Sequence, residues 1–258
     1  MFKKIIVAAA ALAALNAHAL TAGDLAFTSF NADEDGFSMV ALASIAANTT
    51  VYFTDNEWGG SAFNAGEGYN KWVSGSTAIA AGSVIRFASV DTTSAIVTVG
   101  SATAGAFTRE AVSGNTNWGL SASNETLYAY LGTSTTAPTA FLAAVTNGSF
   151  AVDGPLNSTG LTEGVNAIRL NANATNATPD YGVYTGVRSG LSSFSAYLPL
   201  LANPSNWQID TTNGAYATTV PDTTAFTVTP SVPEPETYSL ALASIGVCLA
   251  LARRRQQR

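Results

Sequence analysis

Short runs of apolar and β-branched residues recur along the chain, separated by Gly, Asn and Asp. They fall at residues 25–30, 38–42, 50–54, 84–89, 95–99, 126–131, 141–145, 167–170 and 226–228. Runs of this length with turn residues between them predict strands, and no long stretch between them carries a helical period. The pattern predicts an all-β protein built as an antiparallel β-sandwich or barrel, with the sandwich preferred. Aromatics at Phe53, Phe87, Tyr128 and Tyr130 suit pleated, half-buried faces. Two stretches echo each other: Ile45-Ala46-Ala47-Asn48 leads into Val51-Tyr52-Phe53, and Ile79-Ala80-Ala81-Gly82 leads into Val84-Ile85-Arg86-Phe87. Asn and Gly tolerate positive φ, so each copy reads as a tight turn feeding a strand.

The two ends follow different patterns. Phe2, Lys3 and Lys4 precede an apolar run over 5–15, closed by Ala17-His18-Ala19. A charged start, a short apolar run and a small-residue triplet make a secretory signal peptide, residues 1–19, cut between Ala19 and Leu20 by signal peptidase. The run is too short to span a bilayer, which needs about 20 residues. At the other end, Val232-Pro233-Glu234-Pro235 precedes an apolar stretch over 238–252, followed by Arg253, Arg254 and Arg255. As a helix that stretch would be about 22 Å long, short for a hydrocarbon core of about 30 Å. The arginines would stay cytoplasmic and leave the body outside.

This C-terminal order resembles the PEP-CTERM sorting signal over residues 232–258. The resemblance implies a transmembrane helix at 238–252 and processing near the Pro-Glu-Pro by an exosortase. It also implies a Gram-negative host, often one with an exopolysaccharide biofilm matrix. The expected itinerary is export, an inner-membrane-tethered intermediate, then the cell surface or extracellular matrix. The alternative is an ordinary single-pass anchor on a Pro-rich stalk.

Between the ends, residues 20–210 form the expected body and 211–231 a Thr/Pro-rich spacer that can include a last strand. From residue 20 to 231 there are five basic residues (Lys71, Arg86, Arg109, Arg169 and Arg188) against fifteen acidic ones, a net charge of −10. An acidic body without a basic stripe excludes the usual nucleic-acid binding, which relies on Lys and Arg at phosphates. The single His is His18 and the single Cys is Cys248, one in each end segment. The body therefore lacks the means for Ser-His-Asp or Cys-His catalysis, for the usual Zn, Cu or haem ligation, and for disulfides.

Ala22-Gly23-Asp24, Phe30-Asn31-Ala32-Asp33, Tyr52-Phe53-Thr54-Asp55-Asn56-Glu57-Trp58, Gly66-Glu67-Gly68, Trp72 and Ala81-Gly82-Ser83-Val84 stand in order. This segment is similar to lamin-tail-like modules of secreted bacterial proteins, which implies an immunoglobulin-like sandwich and no particular activity.

Two loops carry candidate chemistry. In Asn31-Ala32-Asp33-Glu34-Asp35-Gly36, oxygen ligands alternate as at the start of an EF-hand, but the twelfth position is Leu42 rather than a bidentate Glu. Asn31, Asp33 and Asp35 are thus candidates for a looser Ca²⁺ loop, against a solvated acidic hairpin loop. No other cofactor is expected. The second loop gathers Asp55, Asn56, Glu57 and Trp58 at a strand end, with Trp72 nearby. Carboxylates and indoles there would grip exopolysaccharide, against the plainer reading of both tryptophans as core. Trp118 and Trp207 read as packing anchors.

The composite expectation is a non-catalytic surface or matrix protein acting by adhesion or by polysaccharide or Ca²⁺ binding. The alternative is a carboxylate-dependent polysaccharide hydrolase, with Asp55, Glu57 and Glu67 as the nearest acids.

Overall fold

The structure, a computed structural model, describes residues 19–115, 117–173, 178–210, 212 and 214–229. Thirteen strands form among the described residues: β1 (Leu25–Asn31), β2 (Gly36–Ala41), β3 (Thr50–Thr54), β4 (Tyr69–Val73), β5 (Val84–Ala88), β6 (Ile96–Val99) and β7 (Ala102–Thr103) come first. They are followed by β8 (Ala106–Glu110), β9 (Thr126–Ser134), β10 (Ala137–Thr146), β11 (Ala167–Arg169), β12 (Tyr181–Tyr184) and β13 (Trp207–Asp210). One sheet has seven strands in the order β13-β12-β1-β2-β5-β6-β7, the other six in the order β11-β10-β9-β3-β4-β8. One pairing departs from the antiparallel expectation. β11 runs parallel to β10, because the 20 residues between them give the chain room to return in the same direction.

The sheets face each other across one apolar core. Phe37 of one sheet lies 5.0 Å from Phe53 of the other, and Phe53 lies 5.1 Å from Phe87, ring centroid to centroid. The period of two along β9 divides its residues between two cores. Leu127 and Ala129 join the core between the sheets. Tyr128 and Tyr130 point the other way, into a smaller cluster with Trp58, Phe141, Phe150 and Leu161. The six-stranded sheet is thus buried on both faces around β9, which is why this strand lacks the polar alternation of a solvated sheet.

The two echoing stretches turn out to be paired. Each is a crossover, 45–48 from the seven-stranded sheet into β3 and 79–82 from the six-stranded sheet into β5. Ile45 and Ile79 exchange both backbone hydrogen bonds at 2.9 Å, and both side chains are buried. Asn48 (φ 57°) and Gly82 (φ 88°) supply the left-handed turns. The repeat in sequence is therefore a reciprocal staple where the chain changes sheets.

Leu20, the first residue after the expected signal cleavage, is 4% exposed and belongs to the main core. The expected spacer is largely part of the fold. Tyr216 stacks on Tyr181 at 4.3 Å, Phe226 is buried against Tyr184 and Tyr197, and Val228 bridges Leu191. The expected last strand at 226–228 is this single bridge. Polar, Thr-rich composition suggested a solvated linker, but two aromatics ten residues apart, Tyr216 and Phe226, are enough to dock it. Phe226→Ala should cost about 3–5 kcal/mol, read as a lower midpoint in urea. An unchanged midpoint would return the segment to the role of spacer.

The expected cleavage residue Ala17, the sorting residues Val232, Pro233, Glu234 and Pro235, the helix at 238–252 and Arg253, Arg254 and Arg255 all lie outside the described residues. Among the described residues no helix is long and apolar enough to cross a membrane.

Candidate functional site

Three strands deliver acidic side chains to one end of the six-stranded sheet. β3 pairs antiparallel with both β4 and β9, so its C-terminal end meets their N-terminal ends: Thr54 is opposite Tyr69 on one side and Tyr128 on the other. Asp55 follows β3, Glu67 precedes β4 by two residues, and Glu125 immediately precedes β9. One carboxylate oxygen from each lies within 4.8 Å of the others.

Short-range hydrogen bonds hold each acid in place. The Thr54 hydroxyl donates to Gly68 O at 2.7 Å. It accepts the Asn56 backbone N–H at 3.1 Å, closing a local turn around Asp55. Asn56 Nδ2 donates to Gly68 O and its Oδ1 accepts the Glu67 N–H, so one amide clamps the chain on either side of Glu67. Asp55 Oδ1 accepts the Gly68 N–H at 3.1 Å. Across the site, Asn147 Oδ1 accepts the Glu125 N–H at 2.7 Å, and Glu125 Oε2 accepts the Ser121 N–H at 3.1 Å.

The electrostatics of this cluster are unbalanced. Asp55 is 5% exposed and Glu125 3% exposed. The described ion pairs are Lys71–Glu110, Arg86–Glu34, Arg169–Glu163 and Arg188–Asp222, and none reaches the three acids. Burial, then the charges of Asp55 and Glu67, push Glu125 up to about 9. Burial, then the charge of Glu57, push Glu67 up to about 7. Asp55 is raised well above the carboxylate range by burial and by Glu67. Backbone N–H groups do not offset three acids sharing one enclosed space, so at neutral pH the cluster either keeps protons or takes a cation.

Residues singled out in the sequence have varied placements. Asp55 is in the cluster, Asn56 is its clamp, and Glu57 is near enough to raise Glu67. The two tryptophans are core. Trp72 is 0% exposed, with its indole N–H on Ala104 O at 2.6 Å. Trp58 is buried against Phe63 and Phe141, its N–H on Asn157 O. Neither offers a face to a sugar. Trp207 is likewise buried, its N–H on Leu201 O.

Asn31, Asp33 and Asp35 lie in the β1–β2 hairpin, and their oxygens accept three different backbone amides: Glu34, Tyr216 and Leu120. They fasten the hairpin to the C-terminal segment and to the 117–120 loop. Glu125 escaped the sequence reading because 58 residues separate it from Glu67. Its only local signal is a Glu at the mouth of a strongly apolar strand.

No family model, curated protein or solved structure matches this chain. What defines it is its own architecture: a two-sheet β body with an enclosed, unneutralised carboxylate cluster at one sheet end.

Proposed function

We propose that this is a non-catalytic, exported surface or extracellular-matrix protein whose β body binds Ca²⁺ at Asp55, Glu67 and Glu125. The observation that carries the cation reading is the convergence of three carboxylates, two of them buried, with no basic partner among the described residues. The donor set is all oxygen, as a hard cation such as Ca²⁺ requires. The residues from 20 to 231 lack the His and Cys that softer metals prefer. Export is supported by the charged, apolar and small-residue order of the first 19 residues. Sorting by an exosortase is supported by the Pro-Glu-Pro, apolar and arginine order of the last 27. The finer likeness to lamin-tail, immunoglobulin-like modules belongs to the same proposal.

The test is thermal unfolding of the purified chain in Ca²⁺, in Mg²⁺ and in chelator. At a hundred times Kd, Ca²⁺ contributes about 2.7 kcal/mol, or roughly 5–10 °C in a domain of this size. Glu125→Gln should abolish the rise. Equal melting in Ca²⁺ and chelator would overturn the proposal. The hydrolase alternative has one observation in its favour, the raised Glu67 carboxyl beside a second acid. It requires release of reducing ends from polysaccharide that Glu67→Gln stops.

A further inference from the structure

A groove of about 330 Å³ opens between the edge of the six-stranded sheet and a turn of the other sheet, lined by Thr92, Thr93, Phe107, Thr108, Arg109 and Trp118 together with Ala111. Its volume is at the low end for small-ligand sites, about 300–1,000 Å³. β8, the edge strand of the six-stranded sheet, supplies Phe107, Thr108 and Arg109. The turn between β5 and β6 supplies the other two threonines.

Arg109 is the unusual residue in this groove. Of the five basic residues between 20 and 231, the other four each hold a carboxylate. Arg109 makes no ion pair among the described residues, on a body with a net charge of −10. Its guanidinium is nonetheless fixed. Cζ sits 4.8 Å from the centroid of the Trp118 ring, and Nη1 donates to the carbonyl of Asp91, not its carboxylate, at 2.6 Å. Trp118 is itself held against Gly68, where any side chain would collide with it.

Arg109 carries more donors than the fold uses. An arginine has five N–H donors, and the Asp91 carbonyl takes one. The Trp118 indole N–H is enclosed and turned away from the groove's solvent, so the ring contributes its face beneath the guanidinium. The nearby acid Glu110 is already held by Lys71 at 3.2 Å. A planar, stacked, pre-positioned guanidinium without an anion matches a carboxylate, which accepts two parallel N–H bonds. Beside it, the exposed Thr93 hydroxyl offers a partner for a ring hydroxyl, whereas the Thr108 hydroxyl lies on the other face of β8, where it donates to Glu110 at 2.9 Å. Phe107 adds an apolar patch.

We propose that the Arg109–Trp118 groove binds the carboxylate of an acidic sugar, a uronate residue of a polysaccharide. This names a ligand class for the surface or matrix role proposed above, and it rests on that role only for its extracellular setting. The cation cluster is a separate site, so either can fail alone.

The test uses the purified chain, tri-galacturonate as probe and neutral tri-galactose as control, both titrated in chelator so that the cation cluster plays no part. The readout is tryptophan emission. Trp58, Trp72 and Trp207 are buried, so Trp118 is the one placed to respond. Tri-galacturonate should change the emission saturably and tri-galactose should not. Arg109→Gln should weaken binding by about tenfold or more, with Arg109→Lys between the two. Melting curves of both variants verify that they are folded, and calorimetric titration repeats the measurement without relying on emission. Three results would overturn the proposal: no saturable response at millimolar probe, equal binding of the neutral sugar, or unchanged affinity in a folded Arg109→Gln. Competition by inorganic phosphate as strong as by free galacturonate would overturn the sugar assignment and leave a general anion site.

Discussion

With divalent cations chelated, the melting temperature should fall as pH rises from 7 to 9, and Glu125→Gln should reduce that fall. Glu125 titrates near 9 in the folded chain against an ordinary value of 4.5. Below 4.5 both folded and unfolded chains hold the proton and nothing is lost. Between 4.5 and 9 the folded state binds more protons than the unfolded one, so stability declines with rising pH. Each proton so held contributes at most about 1.4 kcal/mol per pH unit, and each kcal/mol moves the midpoint by about 2–4 °C.

The window belongs to the cluster: Glu67, raised to about 7, is half titrated where it opens, and Asp55, raised well above the carboxylate range by burial and by Glu67, shares it with Glu125, while Asp35, raised to about 6 by burial, lies below it. No His or Cys occurs from residue 20 to 231. Saturating Ca²⁺ should flatten the curve, because a cation holds the carboxylates in the charged form that protons otherwise neutralise. Glu125→Gln should therefore act with opposite signs: more stable than wild type at pH 9 in chelator, less stable than wild type in Ca²⁺. A wild-type midpoint that stays level or rises between pH 7 and 9 in chelator would mean that the three acids do not share an enclosed space.

Trp72→Ala should destabilise the fold by about 3–5 kcal/mol, a lowering of roughly 6–20 °C. Trp72 meets Phe87 edge to face at 5.3 Å and closes the space between the sheets. Its removal leaves a cavity in a close-packed core and strips the Ala104 carbonyl of its donor. Against a total stability of about 5–15 kcal/mol, that is a large share. Trp72→Phe should cost less, since it keeps most of the ring packing. This measurement bears on function as much as on stability. A Trp72→Ala protein that melts like the parent would make the indole dispensable to the core and available to a ligand. The expected loss removes it from the list of sugar-binding side chains.

Most of the strands were legible in the sequence because β1, β2, β3, β5, β6, β9, β10 and β11 are apolar runs bounded by turn residues, and both signals are local. The strands that were not legible have physical reasons too. β4 reads Tyr-Asn-Lys-Trp-Val and β8 reads Ala-Phe-Thr-Arg-Glu. Both lie at one side of their sheet, where polar residues are tolerated because solvent is near. β12 and β13 are four residues each, and they exist because β1 offers an edge to β12 and β12 in turn offers one to β13.

The sequence by itself determined that the body is β-rich, and that from residue 20 to 231 its chemistry is confined to carboxylates, amides, hydroxyls and aromatics. Both follow from residue type and nearest-neighbour pattern, which need no long-range contact. Only the tertiary structure decided which acids meet. Asp55 and Glu67 were near in sequence, but Glu125 joins them through the pairing of β9 with β3, and a shift of one residue in that register would turn its side chain to the other face. The same holds for the tryptophans. Trp58, Trp72, Trp118 and Trp207 look alike in sequence, and only packing against particular partners makes three of them core and leaves Trp118 stacked beneath an arginine in an open groove.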